Sequence, residues 1–186
     1  MVTRWVVLNF FALTRSYLPP SITISENSLD KIGSRFDKRY CEFHHAGGYM
    51  KLTVIGTGYV GLTTGACLAG LGHDVICLDI DQKKIENLNK GIMPIYEPGL
   101  KELVEQNTKE KRLQFTTNLK FAIESSEVIF LAVGTPQDND GKADLKYIFK
   151  AAEDIAKCMN GYKVVVIKST VPIGTADKVN DIVKRY

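Results

Sequence analysis

The 186-residue chain has 45% hydrophobic residues, and its 24 basic and 21 acidic side chains leave a formal net charge of +3. That apolar content can bury the core of one ordinary domain with an appendage, which excludes a disordered chain. The lysines are interspersed with acids, so no basic stripe is present to track a nucleic-acid backbone, and no apolar run reaches the ~18 residues that span a bilayer.

The first 49 residues differ in character from the rest. The apolar run from Trp5 to Leu13 is broken by Asn9. With Arg4 ahead of it the run imitates a signal peptide, but no small-residue cleavage pattern follows and Arg15 comes too early. Pro19-Pro20 and Gly47-Gly48 punctuate a stretch with no sustained strand or helix period. Arg4, Arg15, Arg35 and Arg39 lie here, whereas lysine dominates the basic residues after Met50. We therefore read Met50 as the natural start of an ordered domain over residues 50–186, and residues 1–49 as an unstructured or artefactual extension. A cytoplasmic location is expected.

From Met50 short apolar runs alternate with longer amphipathic ones, the sequence form of a parallel sheet wrapped by helices. The expected elements are a strand over Lys51–Ile55, a helix over Tyr59–Leu71, a strand over Asp74–Leu78 and a helix over Gln82–Lys90. After Pro94 and Pro98 a short helix carries Leu100, Leu103 and Val104 on one face. A strand over Leu113–Thr116, a helix over Leu119–Glu124, a strand over Val128–Val133, a helix over Leu145–Cys158, a strand over Val164–Ile167 and a helix over Thr175–Arg185 complete the series. The class is α/β, a doubly wound, Rossmann-type parallel sheet of about five strands. In residues 50–186 taken alone, the outer edge of Val164–Ile167 is expected to lack its sixth-strand partner and so to recruit other chains, unless the head covers it.

The cysteines Cys41, Cys67, Cys77 and Cys158 show no metal-ligand spacing. Cys67 and Cys77 fall inside apolar periodic segments and read as small buried hydrophobes rather than nucleophiles.

Gly56-Thr57-Gly58-Tyr59-Val60-Gly61 follows the first strand and opens the first long helix. G-x-G-x-x-G alone is a weak signal, and its context gives it force. Gly56 permits the tight turn, Gly58 leaves room for a pyrophosphate, and Gly61 allows close packing of helix on strand. An anion there meets free N–H groups and the positive end of the helix dipole. Asp79 closes the second strand, where a carboxylate accepts hydrogen bonds from an adenosine ribose. Asp79, reinforced by Asp81, repels a 2′-phosphate, so NAD is the expected cofactor. Lys83 and Lys84 read equally well as solvated helix charges.

Two hydroxyl-bearing turns, Gly134-Thr135-Pro136 and Ser169-Thr170-Val171-Pro172, follow the fourth and fifth strands. At that rim of an open parallel sheet, Thr135 and Thr170 either face a bound cofactor or simply cap their turns. Position alone leaves both open.

Four ordered stretches of this chain resemble the nucleotide-sugar 6-dehydrogenase family, most closely its UDP-glucose-oxidising members. They are Gly56–Gly61, Pro94-Ile95-Tyr96-Glu97-Pro98-Gly99-Leu100, Val133-Gly134-Thr135-Pro136 and Lys168-Ser169-Thr170-Val171-Pro172-Ile173-Gly174-Thr175. They span residues 50–186 and none of the head. The resemblance implies that Tyr59 and Val60 lie at the cofactor in the glycine loop, that Asp79 holds the adenosine ribose and that Lys84 reaches the same end of NAD. It also implies that Thr135 contacts the cofactor, and that Thr170 lies near the nicotinamide and helps to order a water.

The family oxidises a sugar C6 alcohol to a carboxylate with two NAD+, through a thiohemiacetal on a cysteine, with a lysine and an asparagine at the oxyanion. The resemblance puts those groups in later segments, so no catalytic residue is expected here. The chain is expected to be the cofactor half of a longer, homo-oligomeric enzyme acting on UDP-glucose, and to be inactive alone. GDP-mannose or UDP-N-acetylmannosamine dehydrogenases share these motifs, and an NAD-binding module without chemistry would read the same.

Overall fold

The computed structural model describes residues 49–138 and 141–186 and the backbone of residues 5–9. The strands are β1 (Trp5–Asn9), β2 (Lys51–Ile55), β3 (Asp74–Leu78), β4 (Leu113–Thr116), β5 (Val128–Leu131) and β6 (Lys163–Ile167). The helices are α1 (Tyr59–Gly70), α2 (Gln82–Asn89), α3 (Leu100–Lys109), α4 (Leu119–Glu124), α5 (Lys146–Cys158) and α6 (Thr175–Val183). All strand pairs are parallel, in the order β1-β6-β5-β2-β3-β4. The chain thus winds outward from β2 through β3 to β4, then returns to the other side of β2 for β5 and β6. The reversal leaves a crevice between β2 and β5, the place where open α/β sheets take ligands.

β2 to β6 are the five strands expected, with small shifts at their ends. β5 stops at Leu131 rather than Val133, because Ala132 makes a last bond to the Ile55 carbonyl before the chain turns against the glycine loop. α1 stops at Gly70 rather than Leu71, where Gly72, at φ +98°, turns its N–H back to the Ala69 carbonyl. α2 ends one residue early and α5 begins one late, and α6 ends at Val183. Helix ends fray by that much.

Successive strand residues point to opposite faces, and the burial follows this period. Leu52, Val54, Val75, Cys77, Leu113 and Phe115 meet α1, α2 and α3 on one face through Leu62, Ala66, Ile85, Leu88 and Val104. Ile55, Ile76, Leu78, Ile129, Leu131, Val165 and Ile167 meet α4, α5 and α6 on the other through Ile123, Ile148, Ile155 and Val179. Two apolar cores with the sheet between them make the doubly wound fold. Thr53 is the polar exception within β2. It is fully buried, and its hydroxyl donates to the Ala122 carbonyl at the end of α4.

α1 lies unusually near the sheet. A Cβ on Gly65 would collide with the Cys77 sulfur, so Gly65 and Cys77 fill one space between them. Cys77 is fully buried, and burial pushes its thiol up to about 12, as befits a core residue. Cys67 corrects the expectation of two buried thiols. It lies on the exposed side of α1, because Gly61, Leu62, Gly65, Ala66 and Ala69 take the inner side.

The strand β1 lies outside the sequence expectation. Trp5–Asn9 pairs with β6, with Trp5 opposite Lys163 and Asn9 opposite Ile167. Val6 and Val7 suit a strand, and the outer edge of β6 offers the unpaired backbone groups that attract one. The edge expected to be open in residues 50–186 alone is therefore covered by the head in the full chain. Residues 1–4 and 10–48 of the head lie outside the described residues.

Gly65→Ala is expected to lower stability by about 1–3 kcal/mol through overpacking, and Cys77→Ala in the same chain to restore part of that loss. Denaturant unfolding of the two single variants and the double variant checks it; additive losses would mean that the two side chains do not share one space. Removing residues 1–49 uncovers the edge of β6, so the shortened chain is expected to self-associate at concentrations where the full chain does not. Light scattering against concentration measures this.

Candidate functional site

Register sets the site. Thr116, Leu78, Ile55, Leu131 and Ile167 form one row across β4, β3, β2, β5 and β6. The residues that follow this row therefore share one rim, at the carboxyl ends of the strands. Gly56, Asp79, the Val133–Pro136 turn and the Lys168–Pro172 turn all lie there.

Gly56 turns the chain out of β2 at φ +99°, and its N–H donates to the Leu78 carbonyl at 2.7 Å. A Cβ here would lie 2.6 Å from the Ala132 carbonyl oxygen, against the end of β5. A Cβ on Gly61 would strike the Gly56 carbonyl, so the first turn of α1 sits directly on the loop. Gly58 differs from both: a Cβ added to it meets nothing within 4 Å. Gly56 thus makes the turn, Gly61 packs backbone against backbone, and Gly58 faces open space. Gly58 caps α1 without a side chain, and the first helical bond runs from the Leu62 N–H to the Gly58 carbonyl. The N–H groups of Tyr59, Val60 and Gly61 precede that bond and line an electropositive helix end. Val60 is 46% exposed beside it.

Asp79, just past β3, faces this loop. Its Oδ2 accepts from the Thr57 N–H at 2.8 Å and from the Thr57 hydroxyl at 2.7 Å. Lys84 Nζ donates to the same oxygen at 3.0 Å. Among the described residues Oδ1 accepts only the Asp81 N–H, at 3.1 Å. Burial alone would raise this carboxyl, but the two Thr57 bonds, the Asp81 N–H and Lys84 outweigh it and hold the group at about 2. Asp79 is thus a fixed, ionised acceptor at the edge of the glycine loop. Asp81 is occupied elsewhere, since its Oδ1 caps α2 by accepting the Lys84 N–H at 3.0 Å.

The two hydroxyl-bearing turns are stitched to each other. Thr135 Oγ1 donates to the Thr170 carbonyl at 3.1 Å, and Ser169 Oγ donates to the Val133 carbonyl at 2.6 Å. Thr135 therefore caps a turn whatever else it contacts. Thr170 is exposed on the rim. Across the cleft, the Tyr59 hydroxyl donates to Glu97 Oε2 at 2.8 Å. The hydrogen bond to Glu97, then its negative charge, raises the tyrosine pKa. This bond ties the Pro94–Leu100 segment to the start of α1.

Gly56, Gly58, Tyr59, Val60, Gly61, Asp79 and Lys84 thus gather on the β2–β3 side of the rim, and Thr135 and Thr170 on the β5–β6 side. Sequence reasoning passed over Thr57, Ser169 and Glu97. Thr57 could have been found, because a residue held between two loop glycines, with one neighbouring strand end carrying a carboxylate, has few other directions for its hydroxyl. Among the described residues no group of three or more His, Cys, Asp or Glu side chains could hold a metal ion, and no helix is long and apolar enough to cross a membrane.

Comparison with known proteins agrees with this geometry. The family model for the UDP-glucose/GDP-mannose dehydrogenase family, NAD binding domain, matches residues 50–186. A UDP-glucose 6-dehydrogenase of Bacillus subtilis (strain 168) is 53% identical over 135 residues, which cover 73% of this chain and 29% of that protein. The structure of a UDP-glucose dehydrogenase from the archaeon Pyrobaculum islandicum matches with a TM-score of 0.72 at 36% identity, covering 76% of this chain and 34% of that one. A ternary complex of GDP-mannose dehydrogenase from Pseudomonas aeruginosa matches with a TM-score of 0.71 at 37% identity, covering 73% and 32%. The chain spans about three-tenths of the length of the relatives it matches.

The carboxyl of Asp79 sits below its ordinary 3.8, at about 2. A depressed carboxylate contributes stability that is complete above the unfolded pKa and is lost as pH falls through the folded one. The wild-type chain is therefore expected to be more stable than Asp79→Asn at about pH 6, with the gap closing as pH falls from about 4 to about 2. Denaturant unfolding of both proteins across that range measures the gap, and a gap independent of pH would show that the ionised form is not what the loop stabilises.

Proposed function

Since this chain belongs to the UDP-glucose/GDP-mannose dehydrogenase family through its NAD-binding domain, we propose that it is the cofactor-binding part of a UDP-glucose 6-dehydrogenase. NAD is the cofactor of this domain. The observation that carries the reading is the ionised Asp79 carboxylate beside an open glycine loop. The Gly56–Gly61 loop and the first turn of α1 hold the pyrophosphate with their N–H groups, and Gly58 leaves the room for it. Asp79 takes the adenosine ribose hydroxyls, with Lys84 at the same end. Val60 lies along the cofactor. Thr135 and Thr170 flank the nicotinamide side, Thr170 with a water at hand.

The cofactor, when bound, supplies the hydride acceptor. The reaction proposed for the whole enzyme removes two hydrides from the sugar C6: alcohol, water and two NAD+ give carboxylate, two NADH and three protons. The residues described here bind, orient and exclude, while the aldehyde-capturing thiol is not assigned to any of them. Cys77 is buried with a thiol raised to about 12, and burial also raises the Cys67 thiol. We propose that residues 50–186 form the cofactor domain, with the head as an extension of it, and that the chain alone binds NAD+ without turnover.

The 53% identity with a UDP-glucose 6-dehydrogenase supports UDP-glucose as the substrate. The likeness to GDP-mannose dehydrogenase, with nearly the same TM-score as the archaeal UDP-glucose enzyme, supports a GDP-sugar substrate as the second reading. The whole enzyme is proposed to be a cytoplasmic homo-oligomer.

The chain is expected to bind NAD+ more tightly than NADP+, and Asp79→Ala to weaken NAD+ by about 10- to 100-fold, the loss of hydrogen bonds to a charged acceptor. Calorimetric titration of both proteins with both cofactors decides it, and an unchanged preference in Asp79→Ala sinks the ribose assignment. No NADH absorbance should develop with UDP-glucose and NAD+; steady turnover would overturn the division of labour proposed for the chain.

A further inference from the structure

Asp79 Oδ2 already carries three donors, two from Thr57 and one from Lys84, while Oδ1 carries one. An ionised carboxylate offers about four acceptor sites. With about two sites on each oxygen, Oδ2 is already filled by its three donors, and Oδ1, with one, keeps an open position. The three donors on Oδ2 differ in mobility. The Thr57 N–H belongs to the glycine loop itself, and the Thr57 side chain is fully buried. The Lys84 side chain is 30% exposed on a flexible stem and can leave. So Thr57 is the fixed anchor and Lys84 the exchangeable one.

We infer that Thr57 is a positioning residue for cofactor discrimination: its buried hydroxyl and N–H lock Asp79 Oδ2 to the glycine loop, so that Oδ1 faces the ribose diol and the carboxylate cannot turn away from a 2′-phosphate. This rests on the reading of Asp79 as the ribose acceptor. The lock has a second effect. Thr57 stands between Gly56 and Gly58, so the ribose acceptor and the pyrophosphate loop form one rigid unit and are preset together. Preorganised acceptors bind without a further ordering cost. Asp79 in turn holds the loop through two hydrogen bonds, and its loss disturbs both ends of the adenosine diphosphate portion.

Calorimetric titration of the full chain with NAD+ and with NADP+ tests this on wild type, Asp79→Asn, Thr57→Val and Thr57→Ser, each shown by its thermal melt to be folded at the titration temperature. Thr57→Val keeps the size and the backbone N–H and removes only the hydroxyl. It is expected to weaken NAD+ by about two- to tenfold, the fold-change of one hydrogen bond, while NADP+ weakens less, so that the preference narrows. Thr57→Ser is expected to restore both affinity and preference. Equal losses for both cofactors, or Ser behaving like Val, would mean that Thr57 only packs the loop and would overturn the inference. If Thr57→Val fails to fold, Thr57→Ala and Thr57→Ser are compared in the same way. A wild type that ignores NAD+, or an Asp79→Asn variant that binds as wild type does, would instead remove the ribose reading beneath it.

Discussion

The rim depends on how closely α1 can approach the sheet. Backbone lies against backbone where the Gly61 position meets the Gly56 carbonyl and where Gly56 meets Ala132 at the end of β5. No side chain larger than hydrogen fits either place without moving a strand end. Only Gly56, Thr57 and Gly58 separate the end of β2 from the start of α1, whose first N–H groups carry no side-chain cap. The proposed anion site thus rests on this packing, which continues along α1 through Gly65 against Cys77.

Charge placement follows from that arrangement. A carboxylate at the end of β3 would be costly if buried without partners. Thr57, Asp81 and Lys84 supply donors, and the carboxyl falls to about 2 rather than rising. The positive helix end and the fixed negative charge therefore sit side by side, one suited to phosphates and the other to a diol. A third group of bonds, between Thr135 and Thr170 and between Ser169 and Val133, holds the opposite bank of the crevice still. The cleft is hydrogen-bonded on both banks where the strands end. It is joined to the Pro94–Leu100 segment by the exposed bond between Tyr59 and Glu97.

Family membership and geometry bear on different parts of the molecule. The matched region is about three-tenths of each relative's length, and this chain resembles a UDP-glucose dehydrogenase and a GDP-mannose dehydrogenase there to nearly the same degree. The rim described here holds the residues through which NAD recognition is proposed.

The sequence by itself determined the five strands from Lys51 to Ile167, the helices between them and the glycine loop, because periodicity and glycine placement are local properties of the chain. It also indicated Asp79, whose distance from the loop follows from one strand–helix–strand unit. Tertiary structure alone decided the rest. That Thr57 anchors Asp79, that Ser169 holds Val133, that Gly65 and Cys77 share a space and that Trp5–Asn9 adds to β6 are contacts between residues far apart in sequence, fixed by strand order and register. A hydroxyl or a small residue has the same local pattern whether it caps its own turn or meets a neighbouring strand, and only the assembled sheet distinguishes the two.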